Sequence, residues 1–151
     1  MPRRVAETTE SYFESTPAIL LDTHVAIWLS AGLPIKRSAL ALITAAFSQG
    51  KLWLSPISAW EIGVLASKKR LDLGQSPLSW LENFVRDFSI NVIDFTPDTA
   101  INSSFLPGKF HGDPADRIII ATARAHSVAV ASADEQIIAY GKQGLLKVLP
   151  C

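Results

Sequence analysis

The hydrophobic positions of the sequence form short continuous apolar runs that alternate with longer stretches where apolar residues recur at helical spacing. Apolar runs without polar alternation are typical of strands buried on both faces of a parallel sheet. The runs predict strands over 18–21, 52–54, 90–95, 128–130 and 145–149. The intervening stretches predict helices over 24–29, 36–49, 57–70, 76–88, 96–106 and 113–126, and a last short helix from 134. This alternation predicts an α/β fold, a three-layer α/β/α sandwich with a mainly parallel sheet.

The stretch 111–121 has the strongest local pattern. Asp113-Pro114 predicts a helix start, because Asp is a favoured N-cap and Pro is tolerated at the first helical position. Asp116 then lies in the first turn, and the apolar run 118–121 leaves no polar face. We therefore expect a helix that is buried on nearly every side and opens with two carboxylates.

Composition sets the frame for this pattern. The 151 residues suffice for one domain with a substantial core, and the 48% hydrophobic content indicates a folded protein. The polar residues 1–17 are predicted to be a flexible N-terminal extension, and residues 18–151 the folded domain. The formal net charge is zero, so any binding of nucleic acid must come from a local patch. The single cysteine, Cys151, excludes an internal disulfide and a thiolate zinc site.

The sequence also indicates where the protein works. No apolar run approaches the roughly 20 residues of a membrane span, and the N-terminal stretch lacks the apolar core of a signal peptide. A single cysteine fits a reducing compartment. We predict a cytoplasmic protein without membrane contact.

Four acidic residues occupy equivalent places in the predicted fold. Asp22 directly follows the first apolar run, and Asp134 lies just beyond the fourth run. Glu61 lies early in the helix after the second run, and Asp116 lies in the first turn of the buried helix. Each has a structural interpretation when taken alone, because Asp caps helices and the sequence from Ser58 to Glu61 matches a capping box. In parallel α/β sheets, however, ligands bind outside the carboxyl ends of the strands. We therefore expect the four carboxylates to converge.

Converging carboxylates repel one another unless a cation neutralises them. Oxygen-only ligands suit Mg²⁺ or Mn²⁺, and such ions lower the pKa of a bound water and stabilise a leaving oxygen. The sequence has no Gly-rich phosphate loop, nucleophile-elbow serine or Cys/His metal spacing, and no organic cofactor site is predicted. The spacing of the acids alone predicts a metal-dependent phosphodiester or phosphomonoester enzyme.

Four motifs carry a family resemblance. They are Leu20-Leu21-Asp22-Thr23-His24 with Trp28, the segment 55–62 (SPISAWEI), the segment 111–117 (HGDPADR), and Ser132-Ala133-Asp134. In this order they resemble the motifs of PIN-domain ribonucleases, most closely the VapC-type toxins of bacterial type II toxin-antitoxin modules. The resemblance runs from about Ala18 to the C-terminus. Ala115 departs from it, where an aromatic residue is common, and so does Ser132, where Thr is common.

The resemblance implies a compact α/β/α fold and a pocket where Asp22, Glu61, Asp116 and Asp134 hold one or two Mg²⁺ or Mn²⁺ ions. It implies that a water activated by the metal cleaves single-stranded RNA. It also implies a cognate antitoxin, whose C-terminal segment blocks the site, and a toxin homodimer.

Further residues near the motifs have two interpretations each. Asp113 matches a position that is often acidic in this group, and we expect it near the metal but outside the four ligands. The hydroxyls of Thr23 and Ser132 could orient a carboxylate or cap a helix. Arg117 could neutralise the acids, contact a phosphate, or pair with Asp113 four residues earlier. The histidines at 24 and 111 could reach the substrate, although carboxylates and metal already suffice for catalysis.

The four tryptophans lie on predicted apolar faces, and we expect core positions for them rather than base-stacking platforms. They are Trp28, Trp53, Trp60 and Trp80.

Two other classes of function remain open. The chain could be a non-catalytic RNA-binding or protein-interaction module of the same fold, although the presence of all four acids argues against it. It could also be a metal-dependent DNA nuclease or phosphatase that uses the same acids, which competition between RNA and DNA would reveal.

Overall fold

The computed structural model describes residues 16–151. Of the predicted extension 1–17, residues 1–15 lie outside the described residues. Thr16 is buried, and its carbonyl oxygen accepts a hydrogen bond from Lys51 Nζ at 3.1 Å. The chain is thus already packed on the domain before the first strand begins.

Strands and helices alternate along the described residues, as the hydrophobic pattern predicts. The strands are β1 (Ile19–Leu21), β2 (Leu52–Leu54), β3 (Asn91–Val92), β4 (Ala129–Ser132) and β5 (Val148–Pro150). The helices are α1 (Thr23–Ala31), α2 (Arg37–Ser48), α3 (Pro56–Ser67), α4 (Pro77–Asp87), α5 (Pro97–Asn102), α6 (Pro114–His126) and α7 (Glu135–Lys142).

The five strands form one parallel sheet in the order β3-β2-β1-β4-β5. Ile19 of the central strand pairs with Leu52 of β2 on one side and with Ala129 of β4 on the other. From β1 the sheet extends through β2 to β3 on one side, and the chain then returns to add β4 and β5 on the other side. The strand order therefore reverses at β1 and β4, which is where open parallel sheets form a ligand crevice.

Two hydrophobic clusters cover the two faces of the sheet. Because successive strand side chains point to opposite faces, Ile19 and Leu21 pack with α1, α2 and α4, while Leu20 packs with α6 and α7. The predicted α/β/α sandwich with a parallel sheet is confirmed. None of the helices in residues 16–151 has both the length and the apolar character that a bilayer crossing requires.

Most helices begin where the sequence predicts and end earlier. The hydroxyl of Ser55 caps α3 by accepting from the Ile57 N–H at 3.2 Å, so α3 begins at Pro56. Helix α5 ends at Asn102 instead of residue 106, because the Ser103 hydroxyl donates to the Ala100 carbonyl at 2.6 Å and a turn follows. Strand β3 has two residues instead of the predicted six, since the chain already turns away towards α5.

Burial along α6 and among the tryptophans differs in part from expectation. Residues 119–123 of α6 are buried, but its last turn from Arg124 is exposed. The core position predicted for Trp60 is wrong, because its side chain is 60% exposed. Ser58 and Ile62 are the buried residues of α3, and Trp60 lies midway between them in sequence, on the opposite side of the helix.

Candidate active site

The predicted acidic residues meet at the carboxyl edge of the sheet, around β1 and β4. They line a cavity of about 250 Å³. Its lining residues are Asp22, His24, Trp28, Glu61, Asp113, Asp116, Ala133 and Asp134. Larger cavities of about 470 and 420 Å³ lie elsewhere, but the first has no acidic lining residue and the second has two. The structure therefore brings all four predicted ligands and Asp113 together in one place.

Asp22 is held from two sides. One carboxylate oxygen accepts from the Thr23 N–H at 2.8 Å, which makes Asp22 the N-cap of α1, and the other accepts from the Ser132 hydroxyl at 2.7 Å. Ser132 Oγ in turn accepts from the Asp134 N–H at 3.0 Å. Burial raises the pKa of Asp22, and these two hydrogen bonds oppose the rise. The buried carboxylate consequently has a fixed orientation.

Glu61 reaches from α3 to the start of α1. Its Oε1 accepts from the Thr23 hydroxyl at 2.6 Å, and Thr23 Oγ1 lies 2.8 Å from Ser58 Oγ. Burial raises the pKa of Glu61, and the bond from Thr23 opposes the rise. The capping-box interpretation is wrong because Ser55, and not Ser58, caps the helix. Ser58 instead lies beside the hydroxyl that positions Glu61.

Asp116 is the least compensated carboxylate of the cavity. Its side chain accepts no hydrogen bond from residues 16–151, in contrast to those of Asp22 and Glu61. Burial raises the pKa of Asp116 to about 8, with further contributions from the negative charges of Asp113, Asp22, Asp134 and Glu61. The first turn of α6 thus presents a carboxylate that favours its protonated form when no cation is nearby.

Asp113 and Asp134 line the cavity, and both are also helix N-caps. Asp113 Oδ1 accepts from the Asp116 N–H at 2.8 Å, and Asp134 Oδ1 accepts from the N–H groups of Gln136 and Ile137 at 2.8 and 3.1 Å. Each cap occupies a single carboxylate oxygen. The second oxygen of each side chain has no hydrogen-bond partner among the described residues.

Arg117 does not neutralise the acids. Its guanidinium donates to the carbonyl oxygens of Phe110 at 2.6 Å and Ser103 at 3.4 Å, and lies 5.8 Å from the Phe110 ring centre. The ion pair with Asp113, one of the three interpretations of Arg117, does not form in the described chain, where the ion pair that forms joins Arg86 and Asp87. Arg117 therefore fixes the segment that leads into α6. Gly112 belongs to the same packing, since a Cβ there would lie 2.2 Å from the Phe110 ring.

The donor set of the cavity fits a hydrated hard cation. Within residues 16–151 no basic side chain forms an ion pair with any of its carboxylates. No three His, Cys, Asp or Glu side chains of the described chain are close enough together to surround an ion on their own. Mg²⁺ commonly keeps several waters and binds through one or two carboxylates, so carboxylates that do not form a closed protein cage remain compatible with it.

Sequence reasoning placed His24 near the substrate but missed Ser58 and Trp28 as neighbours of the acids. Ser58 was interpreted as a helix cap, although its position three residues before Glu61 places both on one side of α3. His24 and Trp28 both line the cavity. Their spacing of four residues directly after Asp22 is the signal that could have placed them on one face of α1, next to the site.

Comparison with known proteins identifies a family and a related sequence. Residues 19–143 match the PIN domain family. The chain is 35% identical over 119 residues to ribonuclease VapC22 of Mycobacterium tuberculosis, a similarity that covers 79% of this chain and 88% of that protein.

Solved structures share the fold. The DNA-bound VapBC structure from Salmonella typhimurium matches with a TM-score of 0.62 and 17% identity, over 89% of this chain and 98% of the other. VapBC2 from Rickettsia felis, bound to a DNA fragment from its promoter, matches with a TM-score of 0.60 and 17% identity, over 87% and 97%. Together with the family match and the sequence relative, these findings show that the chain belongs to the PIN domain family, as one of its VapC-type members.

Proposed function

We propose that this protein is an endoribonuclease that requires Mg²⁺ or Mn²⁺ and acts as the toxin of a toxin-antitoxin pair. The observation that carries the proposal is the convergence of four carboxylates from separate segments of the chain on one cavity without a basic partner in the described residues. The 35% identity to ribonuclease VapC22 supports RNA as the substrate.

In this proposal Asp22, Glu61, Asp116 and Asp134 share the coordination of a hydrated ion, in part through its bound waters. When bound, the ion would supply Lewis acidity, which lowers the pKa of a water and stabilises negative charge on a phosphodiester. The protein's own contribution is orientation. Ser132 and the Thr23 N–H hold Asp22, and the Thr23 hydroxyl holds Glu61, so both carboxylates are already directed before a ligand arrives.

Asp116 contributes differently, because it holds a proton when the cavity lacks a cation. Its pKa of about 8 means that the carboxyl group is mostly protonated at neutral pH, and it would release that proton as a ligand for a cation. Among the neighbouring negative charges, that of Asp113 raises this pKa the most. We therefore place Asp113 beside the ion, as a residue that adds negative charge and positions the start of α6.

An antitoxin partner and a homodimer complete the proposal. The structural relatives from Salmonella typhimurium and Rickettsia felis are VapBC proteins, which supports an antitoxin for this chain as well. Within residues 16–151, three large apolar side chains are more than 60% exposed, namely Leu78, Ile101 and Phe105. These side chains are available to a partner or to a second copy of the chain, and apolar residues mark such an interface where they form a contiguous patch.

The proposal is tested by incubating the purified protein with a mixed cellular RNA pool. We expect discrete fragments with Mg²⁺ or Mn²⁺ and none with a chelator or with the Asp116→Asn variant. Asp98→Asn is the matched control, because Asp98 is an exposed acid in the first turn of α5, outside the cavity. Cleavage that persists in chelator or in Asp116→Asn would contradict the assigned site.

The same assay separates the other classes of function. Equal cleavage of DNA in competition with RNA would favour a general metal-dependent nuclease. Binding of RNA without any cleavage by antitoxin-free protein would favour a non-catalytic module. Either result would replace the ribonuclease proposal.

A further inference from the structure

One wall of the acidic cavity is aromatic. His24 and Trp28 both line it and lie four residues apart on α1, hence on the same side of that helix. Their ring centres are 6.4 Å apart and their planes are inclined by 60°. The two rings therefore form a corner rather than a parallel slot, and we call them the aromatic corner.

Trp28 differs from Trp80, a tryptophan of the hydrophobic core. Trp80 is 5% exposed, stacks on Phe84 with ring centres 5.1 Å apart, and donates its indole N–H to Ser30 at 3.0 Å. Trp28 packs only partly against the same hydrophobic cluster. Nothing in residues 16–151 accepts a hydrogen bond from its indole N–H, and the polar part of a tryptophan usually finds a partner when it is buried. Trp28 thus has the placement of a side chain shared between core and cavity.

The charge of the cavity makes an aromatic wall useful for binding RNA. Five of its eight lining residues are acidic, and none is Lys or Arg. Proteins normally gain their affinity for RNA from basic side chains that contact phosphates. Carboxylates in this number repel the backbone, so affinity at this site must come from the metal ion or from contacts to the bases. Aromatic rings provide such contacts, because every base has a face that can stack.

We infer that the aromatic corner binds a nucleobase of single-stranded RNA beside the phosphate that is cleaved, with the base stacked on Trp28 and its edge against His24. The inference rests on the proposed function, since it concerns the same cavity. It assigns Trp28 and His24 to substrate binding and leaves the hydrolytic step to the carboxylates.

Binding is measured first, with a fluorescently labelled single-stranded RNA oligonucleotide. All proteins carry Asp116→Asn, so that the oligonucleotide stays intact. We expect the additional change Trp28→Leu to weaken binding roughly 5- to 100-fold, the range that stacking of one base corresponds to. Trp28→Phe keeps an aromatic face and should restore most of the affinity.

Trp60→Leu is the matched control, because Trp60 is an exposed tryptophan that does not line the cavity. It should leave the dissociation constant within about twofold of the parent, well below the effect of losing a stacked base. Since Trp28 also packs on the core, each variant is first checked for a cooperative thermal transition. An equal loss in Trp28→Leu and Trp60→Leu would contradict a specific role for the corner.

An oligonucleotide with one abasic position tests the contact directly. Moving the abasic position along the strand should reveal one position at which the protein with Trp28 intact loses about as much affinity as the Trp28→Leu change causes. With Trp28→Leu, that abasic position should cause little further loss, as expected for two changes that remove one interaction. Additive losses at every position would overturn the inference.

Kinetics distinguishes failure of the inference from failure of the proposed function. In proteins with Asp116 intact, Trp28→Leu should raise KM for RNA cleavage and leave kcat within about threefold, as loss of uniform binding does. Cleavage with an unchanged KM would retain the ribonuclease and refute the corner. Base-dependent binding through Trp28 without any cleavage would retain the corner and refute the ribonuclease.

Discussion

Two acidic walls of the cavity differ in how their carboxylates are compensated. On the sheet wall, formed by Asp22 and Glu61, each carboxylate accepts a hydrogen bond from a buried hydroxyl group. On the helix wall, formed by Asp113 and Asp116 at the start of α6, Asp113 is used as a cap and the Asp116 carboxylate has no donor among the described residues. The sheet wall is therefore oriented in advance, while the helix wall retains a repulsion that a cation would relieve.

This difference gives the two walls separate tests. Substitutions on the helix wall change charge and leave a hydrogen-bond network intact. Substitutions of the hydroxyls on the sheet wall leave charge unchanged and remove orientation. We expect the first kind to affect cleavage most.

The largest effect is expected for Asp116→Asn. Removing this charge should lower RNA cleavage by at least about 100-fold, because even outer partners of metal ligands contribute 10- to 100-fold. Asp134→Asn should lower it less, since Asp134 shares its carboxylate with the cap of α7, a role that Asn can also fill. Initial rates at saturating Mg²⁺ measure both, and equal losses would contradict this ranking.

Asp113→Asn is the internal control on the helix wall. Asn caps helices as well as Asp does, so α6 should keep its start. We expect cleavage to fall by about 10-fold, less than in Asp116→Asn, because removal of a neighbouring charge leaves the four ligands of the ion in place. A loss as large as that of Asp116→Asn would make Asp113 a ligand.

On the sheet wall, Ser132→Ala should lower cleavage about 10- to 100-fold by releasing Asp22. It should also lower the free energy of unfolding by about 1–3 kcal/mol, because a buried carboxylate oxygen loses its donor. Ser132→Thr retains the hydroxyl and is the matched control. Urea unfolding and cleavage rates, measured on the same preparations, check both effects. Full activity in Ser132→Ala would show that Asp22 needs no orientation.

Thr23→Val should have a smaller effect, about 10-fold on cleavage, since Glu61 loses the hydroxyl that holds it while the side-chain volume is kept. The Mg²⁺ concentration that gives half-maximal cleavage should rise. A lower rate with an unchanged dependence on Mg²⁺ would separate Thr23 from metal binding.

How far the sequence predicts this molecule depends on the range of the interactions. The parallel α/β fold and the N-caps at Asp113 and Asp134 follow from local apolar runs and from Asp-Pro chemistry, and the structure confirms them. The convergence of the acids also follows, because each lies near the carboxyl end of a strand or the start of a helix. The partners of Glu61 and Arg117 do not follow, because both side chains bond to groups far away in sequence or to backbone carbonyls.

The tryptophans show the same limit. An apolar residue at helical spacing predicts burial, but Trp60 lies opposite the face of α3 that packs, and Trp28 is shared between the core and the cavity. Which side of a helix meets the sheet is decided by packing that no single segment contains. The pattern of one helix therefore predicts the helix better than the exposure of its residues.

The smallest expected effect concerns the stability of the metal-free protein. Its pH dependence distinguishes the helix wall from the sheet wall. The folded pKa of Asp116 is about 8, above the ordinary value of 3.8, so between these values the folded protein holds a proton that the unfolded chain has released. This contribution is fully present below about pH 4 and is lost as the pH rises through about 8. In chelator, the thermal midpoint of wild type should fall over this window by at least several degrees more than that of Asp116→Asn, at about 2–4 °C per kcal/mol of stability lost. Saturating Mg²⁺ should remove or reverse the difference, because the cation stabilises the ionised carboxylate of the wild type. Parallel melting curves for both proteins in chelator would instead mean that the helix wall carries no more repulsion than the sheet wall.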